Sequence, residues 1–119
     1  MHKVITWRPD APAELASWPV VSGDALREFI GGWFCVAFRI GLIGRQIVAY
    51  CDDEGLLKRL PLTYVRPSDG SPIVGPMVVV AEDTDAEESR GLTPEEIRVF
   101  LEVVPEAHLP RSLVHAEVR

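Results

Sequence analysis

The sequence predicts an α+β domain with one mainly antiparallel sheet of about four strands, covered on one face by two helices. Three observations lead there. Runs of β-propensity near residues 3–7, 33–40, 46–51 and 76–81 alternate with only two segments of helical periodicity, at 23–30 and 94–104. The two central runs are joined by a short glycine-containing link, Gly41-Leu42-Ile43-Gly44-Arg45, which reads as a hairpin rather than a crossover. Each helical segment carries a single apolar stripe, which has to be buried against a sheet.

Lys3-Val4-Ile5-Thr6-Trp7 opens the domain and is stopped by Pro9-Asp10 and Pro12. Trp18-Pro19-Val20-Val21 leads into the first helix, where Leu26, Phe29 and Ile30 follow i, i+3, i+4 spacing. Ser22 is placed to cap it, Val21 and Leu26 stand at the staple positions, and Gly31-Gly32 stops it. After the 33–51 hairpin comes an acidic turn, Asp52-Asp53-Glu54-Gly55. The next residues, Leu56-Leu57-Lys58-Arg59-Leu60, read as a short helical segment ended by Pro61, which lacks an N–H and biases Leu60 toward extended backbone. Thr63 to Pro72 reads as a loop around the turn Pro67-Ser68-Asp69-Gly70. Pro76 to Ala81 returns to the sheet, and Glu82 to Gly91 is an acidic, solvated crossing. Thr93-Pro94-Glu95-Glu96 then sets a hydroxyl at the N-cap, proline at N1 and glutamate at N3, with Leu92 and Ile97 as a staple. Ile97, Phe100, Leu101 and Val104 form its stripe, and Pro105 ends it. The domain is expected over residues 1–104, with 105–119 as an extension that is either a tail or an extra strand.

At 119 residues the chain suits one domain with a real core, and 47% apolar with 25% charged residues is ordinary globular usage. A net charge of −6, with no basic cluster beyond Lys58-Arg59, lacks the electrostatic footprint of nucleic-acid binding. No apolar run approaches the roughly 20 residues that span a bilayer, and no apolar signal core opens the chain. Membrane contact is therefore not expected, and a cytoplasmic location is. Cys35 and Cys51 fall in predicted strands and read as buried reduced thiols. A disulfide between them needs their strands to pair, and the expected compartment argues against it. His2, His108 and His115 are far apart in sequence, so zinc spacing is missing, and neither a metal nor another cofactor is expected.

Asp52-Asp53-Glu54 places three carboxylates at a strand end, where enzymes and cation sites both put acids. The alternating acids and distal glutamate of an EF-hand are missing, so turn chemistry is the main reading; a metal-dependent enzyme or nuclease-like accessory using these acids is the alternative. Gly41-Leu42-Ile43-Gly44 is not followed by the lysine of a phosphate loop, and no G-x-S-x-G elbow occurs. No catalytic residue is assigned. Arg39 and Arg45 bracket the hairpin loop, and two guanidinium forks near an aromatic suit a phosphate or carboxylate. The candidate binding residues are Gly32, Trp33, Arg39, Arg45, Ile73, Gly75 and Pro76. They are chosen because the helix exit Gly31-Gly32-Trp33 and the loop Ile73-Val74-Gly75-Pro76 combine glycine or proline punctuation with apolar groups on a rigid sheet.

The opening Lys3-Val4-Ile5, the helix exit Phe29-Ile30-Gly31-Gly32-Trp33 and the stretch Asp53-Glu54-Gly55-Leu56-Leu57-Lys58-Arg59-Leu60-Pro61 occur in one order. Ile73-Val74-Gly75-Pro76-Met77-Val78-Val79-Val80 and Leu92-Thr93-Pro94-Glu95-Glu96 complete it. In that order they resemble the domain of unknown function 3846 family, encoded largely by bacteriophages, plasmids and their bacterial hosts, over roughly residues 1–104. The resemblance implies a mobile-element accessory protein and carries no established activity. The expected function is a small non-enzymatic protein that binds a host protein or a small anionic ligand, interfering with host physiology or defence. No direct contact with nucleic acid or membrane is expected, and homo-oligomerisation is left open.

Overall fold

A computed structural model describes residues 1–86 and 88–108. In chain order the elements are β1 (His2–Trp7), β2 (Glu14–Trp18), α1 (Gly23–Ile30), β3 (Phe34–Leu42), β4 (Arg45–Asp52), β5 (Leu62–Val65), β6 (Pro72–Val74), β7 (Met77–Asp83), β8 (Ser89–Arg90) and α2 (Pro94–Val103). A single 3₁₀ turn, Pro105–Ala107, follows. None of these helices is long and apolar enough to cross a membrane.

The fold is α+β, as expected, but the sheet is larger than four strands. Its order is β2-β1-β7-β4-β3 with every pair antiparallel, and β8 adds a short sixth strand. β7 is the middle of the array. β4 follows one of its edges from Met77 to Asp83; on the other edge β1 pairs with Met77–Val79 and β8 takes over at Ala81 and Glu82. The unanticipated β2 lies between Pro12 and Pro19, which read as loop punctuation. It forms because β1 offers it a free edge, with Val4 opposite Ala16 and His2 opposite Trp18.

The two helices lie on opposite faces of the sheet, which corrects the expectation of one covered face. Successive strand residues point to opposite sides. Val4, Val78 and Val80 pack with Leu26 and Ile30 of α1, while Ile5, Ile47, Val79 and Ala81 pack with Ile97, Phe100 and Leu101 of α2. Met77 to Ala81 are all fully buried, so β7 is covered on both sides. An unbroken apolar run of this kind is the pattern of a strand buried on both faces, whereas a one-sided sheet alternates.

The α2 face is completed by the hairpin of β5 and β6, in a stretch that reads as loop in the sequence. Its turn is where Pro67-Ser68-Asp69-Gly70 places it, with Gly70 N–H donating to Arg66 O at 2.8 Å. The hairpin buries Tyr64 and Ile73, and the Tyr64 ring lies 5.1 Å from Trp7 and 5.7 Å from Phe38 between centroids. β3 carries a bulge at Ala37, which has no partner on β4, and Arg66 Nη1 donates to the Ala37 carbonyl at 2.7 Å. That bond fastens the hairpin to the outermost strand.

Both helix starts behave as their sequences require. Ser22 accepts from Ala25 N–H, and Thr93 with Glu96 forms a reciprocal capping box behind Pro94. Glu96 is also the centre of a buried ion cluster. It is 0% exposed, and its two carboxylate oxygens accept from Arg90 Nη1 and Nη2 at 2.9 and 2.8 Å. Arg90 reaches Asp83 as well, and Arg45 Nε lies 2.9 Å from Glu96 Oε2, in ion-pair range but out of line for a hydrogen bond. The acidic crossing therefore returns to the sheet at both ends rather than standing off in solvent.

Residues 53–59 form consecutive turns, not the short helix expected there. Arg59 adopts a positive φ of 58°, and Leu60 N–H reaches back to Gly55 O at 3.1 Å, which closes the segment on itself before Pro61. Beyond Val104 the chain stays packed as far as Ala107, which is buried and whose carbonyl accepts from Ala13 N–H at 2.8 Å. The strand or tail expected at 112–118 lies outside the described residues.

Candidate functional site

Three segments meet at one end of the sheet: the exit of α1, the 52–60 turns and the link from β6 to β7. Gly31 ends α1 with φ of 93°, and Trp33 O then accepts from Asp53 N–H at 2.9 Å. Gly32 lies beside the Lys58 ammonium. On the far side of the turns, Gly75 has φ of 77° and its α-carbon faces Leu60 so closely that a Cβ would stand 2.6 Å from Leu60 Cδ1. Gly75 therefore serves packing, as does Ile73, which is buried under Tyr64. Both are buried, Ile73 at the base of a cavity, and Pro76 is half-buried.

What this end does present is apolar surface. Trp33 is 65% exposed, Leu56 67% and Leu57 83%. Trp33 has the Arg27 guanidinium 4.8 Å above its ring, and Leu56 and Leu57 rim a cavity of about 450 Å³ that reaches down to Cys35, Cys51 and Ile73. The sequence reads Leu56 and Leu57 only as part of a short helical segment, which does not show their exposure. The signal was the neighbourhood: two leucines between acidic and basic residues in a segment too short to own a core.

The acids of this turn are divided. Asp52 is buried, receives the Lys58 ammonium at 2.7 Å and accepts from Glu54 N–H at 2.8 Å. Burial pushes its carboxyl up, but Lys58 and the Glu54 N–H outweigh that and hold it below the usual carboxylate range. Asp53 and Glu54 are exposed. Among the described residues no group of three or more His, Cys, Asp or Glu side chains is arranged to hold a metal ion. Asp52→Asn with Asp53→Asn is expected to lower stability by about 1 kcal/mol, since asparagine keeps the turn acceptor and loses only the attraction to a partly exposed lysine. Binding should be unchanged. Partner capture and urea melts on the double variant check this, and lost capture with an unaltered melt would give the acids a direct role.

Arg39 and Arg45 do not converge. Arg39 is paired with Val48 on the α1 side, whereas Arg45 faces α2 and is occupied by Glu95 and Glu96. The shared anion site suggested by their spacing is absent, because residues six apart across a two-stranded turn fell on opposite faces. Beside Arg39, and unseen in the sequence, Tyr50 OH and Ser89 Oγ both donate to Glu82 Oε2, while Gln46 Nε2 approaches Oε1 at 3.4 Å. A cavity of about 510 Å³ opens between this group and the start of α1. Burial, then the Glu82 carboxylate, push the Tyr50 phenol up to about 12. Such a phenol donates its hydrogen bond to Glu82 and keeps its proton at neutral pH.

The fold and this site define a small α+β protein with an antiparallel sheet sandwiched between helices and an apolar rim at one sheet end. Over residues 1–104 the chain matches the family described as Domain of unknown function (DUF3846), and it belongs to that family. No curated protein and no solved structure matches it.

Proposed function

We propose that this protein is a non-enzymatic binding module, an accessory of a bacteriophage or other mobile element, that docks a host protein through Trp33, Leu56 and Leu57. The single observation behind this reading is the exposure of three large apolar side chains, Trp33, Leu56 and Leu57, at one end of the sheet. Exposed apolar groups gathered at one place mark contact surfaces more often than they mark accident, and aromatic residues dominate contact energetics. The mobile-element setting is part of the proposal and rests on what the sequence resemblance implies. A small anionic ligand is the weaker reading, since the two arginines that would serve it lie on opposite faces and Arg45 is already paired.

Capture from host lysate, compared between the wild type and the variants Trp33→Ala and Leu57→Ser, tests the proposal. A partner retained by the wild type should bind each variant at least about 30-fold more weakly, the equivalent of 2 kcal/mol at a contact hot spot. Melting should barely move, because surface substitutions stay within about 0.5 kcal/mol. Equal recovery by wild type and variants would remove this surface from consideration.

A further inference from the structure

A disulfide between Cys35 and Cys51 requires that their strands pair. They do, and in register: Cys35 stands directly opposite Cys51 on β3 and β4, with the sulfurs 3.8 Å apart. Two positions along the same ladder Asp53 N–H donates to Trp33 O, which makes the cysteine pair a hydrogen-bonded one. Pairs of that type hold their α-carbons about 5.5 Å apart, inside the span a disulfide bridges. The register is regular here, since the β3 bulge comes only after Val36. Both thiols also line the 450 Å³ cavity beneath Leu56 and Leu57, so a small reagent has a way in.

We infer that Cys35 and Cys51 are a modification site: they form a reversible cross-strand disulfide by exchange with a low-molecular-weight disulfide such as oxidised glutathione. The half-buried Cys35 thiolate attacks one sulfur of the reagent, whose S–S bond breaks and releases one small thiolate, which takes up a proton. The Cys51 thiolate then attacks the Cys35 sulfur and expels the second small thiol. Two protein thiols are oxidised by two electrons in all, and the reagent is reduced to two thiols. The cysteine chemistry requires no partner bound at the Leu56–Leu57 rim, so the two proposals fail separately.

The surroundings set the rate. Burial raises both thiols above their ordinary range, Cys51 up to about 12 with the neighbouring Cys35 adding to the effect, and Asp52 and Asp53 oppose a thiolate while Arg66 favours one. Exchange depends on thiolate, so it is slow at neutral pH and speeds up by about tenfold per pH unit as alkali is added.

The full chain is incubated with oxidised glutathione at about pH 9, where thiolate is more plentiful, and followed by intact mass and by alkylation. The expected product is lighter by two hydrogens, has lost both thiols together, yields a peptide joined through Cys35 and Cys51, and reverts with dithiothreitol. Cys51→Ser should instead accumulate glutathione on Cys35. A wild-type product that keeps glutathione while Cys51 still takes alkylating reagent would overturn the proposal. So would thiols left untouched in the folded chain over the time in which the urea-unfolded chain is oxidised.

Discussion

Replacing Glu96 by alanine is expected to lower stability by about 3 kcal/mol, the low end of the range for removing one partner of a buried ion cluster. The carboxylate is fully buried and is the meeting point of Arg90, Arg45 and the Thr93 N–H. Both arginines keep 30% of their side-chain area in solvent and relax toward it when the anion goes, which sets the value at the lower end. Burial pushes the Glu96 carboxyl up, but Arg90 and the Thr93 N–H more than offset this and leave it below its ordinary 4.5. The group is thus more acidic folded than unfolded. Its contribution is present in full above about pH 4.5 and is lost as pH falls through the lower, folded value. Urea melts of the wild type and Glu96→Gln at neutral and acid pH should show a gap that closes in acid. A gap that stays constant with pH would mean that charge has no part in it.

Phe100→Ala should cost about 3–5 kcal/mol, the usual loss for a buried phenylalanine. The ring is 0% exposed and sits where α2 meets the sheet, among residues of β1, β4 and β7. Phe100→Leu, which keeps most of the volume, should cost under about 1.5 kcal/mol. Denaturant melts with an unchanged slope would place the loss in the folded state. A loss below about 1 kcal/mol for alanine would mean that α2 does not anchor this core, against the usual cost of a buried ring.

Local chemistry carried most of what could be read beforehand. The capping box at Thr93, the Ser22 cap, the turn at Pro67-Ser68-Asp69-Gly70 and the glycine-bounded 33–51 hairpin depend on neighbours in sequence, and the structure has each of them. What depends on distant partners was not legible. An apolar stripe states that α1 is buried, but the face it takes is decided by Val78 and Val80, about fifty residues later. The five residues of β2 and the strands at Leu62–Val65 and Pro72–Val74 have weak intrinsic signals and owe their form to the edges they meet. At the candidate site, Trp33 was identifiable as an aromatic at a helix exit. Leu56 and Leu57 were not, since their exposure follows from a turn that a helical reading replaces. The grouping of Tyr50 with Glu82 spans two strands paired across the middle of the sheet and leaves no trace in spacing.

The central place of β7 bears on how the protein is born. The strand that joins the β1–β2 ribbon to the β3–β4 ribbon is the last long one to leave the ribosome, some 75 residues after β1, a delay of about 4–15 s at ordinary rates of synthesis. During that interval Val4, Ile5, Ile47 and Val48 belong to ribbons with no shared neighbour, and α1 has no valines of β7 to rest on. β7 supplies the seam between the ribbons and the valines that α1 rests on, while the opposite face is completed only when Ile97, Phe100 and Leu101 follow. A nascent chain stalled before Met77 therefore lacks the one strand that joins its first four strands into a single sheet.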